Sequence, residues 1–131
     1  MAAWQAQAGA TLLMPSGPDG DHLYVVLNDP KPFHGYGSQP CVVLVNVTTV
    51  RAGVKHDDTC VLSPGCHPFV KDESYVLFRS ARIERVSHVN QLVKQGLFKP
   101  QAAFAPNLLG FIKAGLRSSP FATPEFRNLP I

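Results

Sequence analysis

The sequence predicts one mainly β domain of about five strands with two helices at its C-terminal end, an α+β arrangement. Short runs of valine, leucine and aromatic residues alternate with turn-forming clusters up to residue 86. Twelve prolines and ten glycines suit short elements and frequent turns better than a helical bundle. From Ser87 onward the apolar spacing lengthens from two to three or four residues, the period of a helix. At 131 residues, 45% hydrophobic and 16% charged, the chain has material for one core and is too apolar to stay disordered. The expected division is a strand part over 9–86, a helical part over 87–118 and an irregular tail over 119–131.

Thr11 to Met14 and His22 to Leu27 read as two strands joined by the turn Pro15-Ser16-Gly17-Pro18-Asp19-Gly20. Asn28-Asp29-Pro30 stops the second, because proline has no amide hydrogen for the ladder. Cys41 to Val47 is apolar at almost every position, which predicts a central strand buried on both faces. Thr59 to Leu62 reads as a short strand. Ser74 to Ile83 reads as a long one, with Tyr75, Leu77 and Arg79 on one face and Val76, Phe78 and Ser80 on the other. A regular strand would then send Arg79 and Arg82 to opposite faces. Ser87 is the expected N-cap of the first helix and Gly96 its C′ residue. Pro106 opens the second, whose apolar face is Leu108, Leu109, Ile112 and Leu116; Pro120 ends it.

No apolar run approaches the ~18–20 residues of a membrane span. Met1 to Ala10 lacks the basic and apolar regions of a secretory signal. Three cysteines make no disulfide framework, and Cys41 reads as a buried reduced thiol. These features point to a cytoplasmic protein with no membrane partner. The formal net charge is +3, which is compatible with an acidic partner such as RNA without requiring one. Its basic residues gather in the second half, where Arg79, Arg82, Arg85, Lys94 and Lys99 meet few carboxylates.

The stretch Cys60 to Arg82 concentrates the chemistry-bearing side chains. His56, Cys60, Cys66 and His67 are donor types for zinc, but their spacing matches no familiar finger or ribbon, so neither metal nor cofactor is expected. Cys66 with His67 or His56 as base is a second arrangement, with Lys71 the only cation near in sequence to stabilise a thiolate. A third groups His67, Lys71, Ser74, Arg79 and Arg82 around a phosphate, which the planar arginine fork suits. Set against it, His67 reads equally as a turn-stabilising hydrogen bonder and Arg82 as an ion-pair partner of Glu84 or Asp72. The glycine-rich loop Lys31 to Gln39 offers Phe33 and Tyr36 as a contact surface for a protein partner, or as rings folded back onto the sheet.

A hairpin comes first, then a strand from Pro40 ending Asn46-Val47-Thr48-Thr49. A strand opened by Ser74-Tyr75-Val76 and ending Arg82-Ile83 follows, and then helices around Gly96-Leu97. This order resembles the PemK/MazF-like toxins over residues 9–117. The resemblance implies a small SH3-like barrel and a homodimer. It also implies a toxin-antitoxin protein acting on single-stranded RNA, as a metal-free endoribonuclease or an inactive relative, with an antitoxin-like partner. In that scheme Arg82, with His67 or Arg79, stabilises phosphate charge, while Thr48 and Ser74 position the RNA backbone and Lys71 adds charge. The sequence departs from the family where Ala8 and Ala10 flank Gly9 in place of an Arg-Gly-acidic start. It departs again where Gln39 precedes Pro40 in place of arginine, and where Arg79 and Ser80 stand in place of an acidic residue and glutamine. The alternative is a non-catalytic protein-binding module of a bacterial or phage system, working through Phe33 and Tyr36.

Overall fold

The computed structural model describes residues 4–15 and 17–131, so Met1–Ala3 of the opening segment and Ser16 of the first turn lie outside the described residues. Six strands, β1 (Thr11–Pro15), β2 (Asp21–Val26), β3 (Cys41–Thr49), β4 (Val61–Leu62), β5 (Ser74–Arg85) and β6 (Lys99–Gln101), form one curled antiparallel sheet in the order β4-β5-β3-β2-β1-β6. The described residues also hold a 3-10 turn at Gly17–Asp19 and three α-helices: α1 (Val86–Lys94), α2 (Pro106–Ser118) and the short α3 (Pro124–Arg127). The fold is a mainly β half-barrel with short helices, most of them C-terminal. No helix among the described residues is long and apolar enough to cross a membrane.

β3 is apolar from Cys41 to Val45 because both faces of the sheet are covered near its first half. Its odd members, Cys41, Val43, Val45 and Val47, join Leu23, Val25, Val76 and Phe78 beneath Ile112 and Leu116 of α2. We call this the inner face. Its even members Val42 and Leu44 face the other way, with Leu12, Met14, Tyr24 and Val26, under Val89 of α1 and Phe98. Each such side chain removed from water stabilises the fold by about 1.5–3 kcal/mol. Gly115 lets α2 approach closely: a Cβ there would lie 2.8 Å from Cζ of Phe78 and 3.1 Å from Cβ of Cys60.

The structure departs from the sequence expectation in four places. There are six strands, because Lys99–Gln101 pairs with β1. An edge strand tolerates Pro100, a residue without an amide hydrogen. Only α2 and α3 therefore follow the last strand, and α1 precedes it. Arg85, not Ser87, is the N-cap of α1: β5 stays paired to β3 as far as Arg85 opposite Cys41, and the Val86 amide donates to Pro40 O. The tail contains α3, whose N-cap Thr123 accepts from the Phe126 amide. Gly96 sits just past the C-cap Gln95 with φ of 77°, as the C′ reading required.

The fourth departure matters most for function. Arg82 pairs with Leu44 and Leu77 with Asn46, so β5 advances five residues while β3 advances two. The odd excess of three is a bulge that reverses side-chain parity along β5. Arg82 consequently lies on the same outer face as Tyr75 and Leu77.

Candidate functional site on the outer face of the sheet

α1 and the N-terminal segment cover only part of the outer face. Beyond them, the strands present alternate side chains: His22 and Tyr24 from β2, Asn46 and Thr48 from β3, Tyr75 and Leu77 from β5. Register sets Tyr24 against Asn46 and Thr48 against Tyr75. Arg79 shares a cavity with Tyr75 and Leu77. The Arg82 guanidinium carbon lies 5.2 Å from the centre of the Tyr24 ring, and its Nη2 approaches Sδ of Met14 at 3.6 Å. Met14 in turn pairs with His22 across β1 and β2.

The polar groups here are under-satisfied. Nε of Arg82 is buried and makes no hydrogen bond, although Oε1 of Glu84 lies 3.4 Å away as an ion-pair partner. Nδ1 of His22 and Nδ1 of His56 are likewise buried without a hydrogen-bond partner. A buried polar atom left unpaired costs about 1–3 kcal/mol, so three of them on one face call for a reason. His22 and His56 line one cavity of about 210 Å³ with Thr48, Val54 and Tyr75. The His56 and Tyr75 rings are tilted against each other at 5.0 Å.

His56 is held by its neighbour. Asp57 is buried; its Oδ1 accepts from the amide and hydroxyl of Thr59 at 2.9 and 2.5 Å, and its Oδ2 from Oγ of Ser119 at 2.6 Å. Burial would raise the Asp57 pKa, but the hydrogen bonds from Ser119 and Thr59 and the charge of His56 outweigh it, and the carboxyl titrates below its ordinary range. The loop carrying His56 is thus clamped to the end of α2.

The other predicted site residues lie elsewhere. His67 is buried on the inner side: the Phe69 amide donates to its Nδ1 at 3.0 Å, which leaves Nε2 to donate to Ala102 O at 2.6 Å. Its ring packs on Phe104 at 4.9 Å. Both nitrogens are occupied, and the sheet separates His67 from Arg82. Ser74 is buried opposite Thr49, donating to Asp72 O at 2.9 Å, with exposed Lys71 on the same rim. The six candidate positions of the RNA scheme therefore divide. Arg79, Arg82 and Thr48 share the outer face, with His56 of the thiol arrangement; His67, Ser74 and Lys71 do not reach it.

Cys60 is buried against Phe78 and α2, and burial pushes its thiol up to about 12; burial also raises Cys66. Neither is primed as a thiolate. Among the described residues, no group of three or more His, Cys, Asp or Glu side chains could hold a metal ion. Phe33 belongs to the inner core, while Tyr36 is exposed and its hydroxyl donates to Oε1 of Glu125 at 2.9 Å. Glu125 accepting from the phenol raises the Tyr36 pKa. A larger groove of about 640 Å³ runs between Tyr36 and α1, but Glu84 and Arg85 on its wall offset each other toward a charged ligand.

His22, Tyr24, Asn46 and Tyr75 were not singled out from sequence. Their signal was present as polar members of period-two runs, His22-x-Tyr24 and Asn46-x-Thr48, but the register that joins those runs is set by the sheet. No protein-family model, curated protein or solved structure matches the chain, so its own geometry has to carry the functional conclusion.

Proposed function

We propose that the chain is a small SH3-like, PemK/MazF-like barrel that acts on single-stranded RNA as an endoribonuclease, with the outer face of the sheet as its active surface. The single observation that carries this is the shared cavity of His22 and His56, each with an unpartnered buried Nδ1, on the same face of the sheet as the guanidinium of Arg82. Cleavage of RNA by its own 2′-hydroxyl needs a base, an acid and a stabiliser of phosphate charge. One neutral imidazole takes the 2′-hydroxyl proton and O2′ attacks the adjacent phosphorus. The P–O5′ bond breaks, and the second imidazole, protonated, gives its proton to O5′. The products are a 2′,3′-cyclic phosphate and a 5′-hydroxyl. Arg82, held by Tyr24 and Glu84, offers donors to the phosphoryl oxygens, and Thr48 and Tyr75 line the approach.

Tyr24 and Tyr75 give the face aromatic surface of the kind on which unpaired bases stack. Homodimerisation and an antitoxin-like partner belong to the same proposal. Incubating the protein with single-stranded RNA and with a strand carrying 2′-deoxy residues tests it. The RNA should be cut and the 2′-deoxy strand left whole, and His22→Ala and His56→Ala should each lower the rate about 10²–10⁴-fold. Intact RNA after incubation with folded wild-type protein would sink the proposal.

A further inference from the structure

Next to the histidine cavity lies a second one of about 240 Å³, sharing His56 and Tyr75 with it and walled by Leu77, Arg79, Lys55 and Phe121. Phe121 is among the most exposed large apolar side chains of the molecule, at 56%, yet it is not loosely held. Its amide donates to Oγ of Ser119 at 3.1 Å, and the same Oγ donates to the buried carboxylate of Asp57 at 2.6 Å. One hydrogen-bond relay thus ties the backbone at Phe121 to the loop of His56. The other large exposed aromatics among the described residues, Tyr36, Phe69 and Phe111, line neither this cavity nor the histidine one.

The walls are chemically divided. Phe121, Tyr75 and Leu77 offer flat apolar surface, and Lys55 and Arg79 add positive charge; the one carboxylate of the lining, Asp57, is already engaged by Thr59 and Ser119. The space is smaller than the roughly 300–1,000 Å³ of pockets that take drug-sized ligands, which suits one planar ring system. We infer that this cavity is a nucleobase subsite. An unpaired base stacks against Phe121 and Tyr75, Lys55 and Arg79 hold the neighbouring phosphate, and the scissile phosphate lies at His22 and His56. This rests on the RNA reading of the adjoining cavity and adds to it the place where sequence preference is set. Asp57 and Ser119 are positioning residues for both cavities.

A fluorescent single-stranded oligonucleotide with 2′-deoxy residues, which that reaction does not cut, separates the two claims. The intact protein should bind it, and Phe121→Ala should weaken binding about 5- to 150-fold, the worth of one base–aromatic stack. Phe121→Trp should restore it, and the thermal midpoint of both variants should stay close to the wild type because the side chain is more than half exposed. If RNA is cut but Phe121→Ala leaves affinity and base preference unchanged, the subsite is refuted and the ribonuclease reading stands. If the oligonucleotide binds through Phe121 and RNA is never cut, the subsite stands and the ribonuclease reading falls. No binding overturns the subsite, and no binding with RNA left uncut overturns both.

Discussion

Replacing His67 with alanine should cost fold stability and leave the chemistry of the folded fraction unchanged. The substitution deletes the bond from Nε2 to Ala102 O and the bond from the Phe69 amide to Nδ1. Two such bonds contribute about 1–3 kcal/mol net. The lost ring contact with Phe104 adds about 0.5–1.5 kcal/mol, for a total of roughly 1.5–4.5 kcal/mol. Unfolding entropy near 2.1 cal/mol/K per residue gives roughly 0.28 kcal/mol/K for this chain, so the thermal midpoint should fall by about 5–16 °C. Circular dichroism melting reads the shift, and RNA cleavage well below the midpoint reads the chemistry. An unchanged midpoint with cleavage lost would refute the reasoning and return His67 to the catalytic role that its neighbours in sequence suggested.

Three further outcomes follow from the packing and the charges. Asp57→Asn should destabilise the protein near neutral pH. The folded Asp57 carboxyl titrates below its ordinary range, so its contribution is present above about pH 4, the unfolded value, and is lost as pH falls through the lower folded value. Denaturant titrations of the two proteins should therefore converge in acid, and a gap that persists there would contradict the Ser119 and Thr59 assignment. Gly115→Ala should lower stability despite better helix propensity, because the overpacking penalty of about 1–3 kcal/mol against Phe78 and Cys60 exceeds a gain of about 1 kcal/mol; a raised denaturation midpoint would count against the tight α2 contact. Cys60, with its thiol near 12 and no exposed surface, should react with a thiol reagent only on unfolding, and prompt labelling in native buffer would show that core to be open.

Much of the fold was legible because local physics and tertiary structure agreed. The apolar run Cys41–Val47 meant burial on both faces, Gly96 marked a helix end, and Pro106 marked a helix start. β6 was hidden because Pro100 is a poor strand residue except at an edge, and its partner Thr11–Leu13 lies some ninety residues away in sequence. The site was harder still. Alternation alone sends Arg79 and Arg82 to opposite faces, and only the bulge in β5 reunites them. His67 looked like part of a phosphate site because it neighbours Lys71 and Ser74 in sequence; its hydrogen-bond partner Ala102 is 35 positions on. Conversely, His22 and His56 gave no shared local signal, since one ends up on a strand and the other in a loop clamped by Ser119.

The central claim is that RNA meets the outer face of the sheet. Arg82 and Lys71 lie on opposite sides of it, and both were candidate phosphate ligands, so their alanine variants give the most direct test. Single-stranded RNA affinity, measured at fixed salt for Arg82→Ala and Lys71→Ala, should fall by about 10- to 150-fold in the first, the worth of a charged hydrogen bond, and by less than about threefold in the second. The reverse pattern, with Lys71 essential and Arg82 dispensable, would place the RNA on the inner rim and contradict the account.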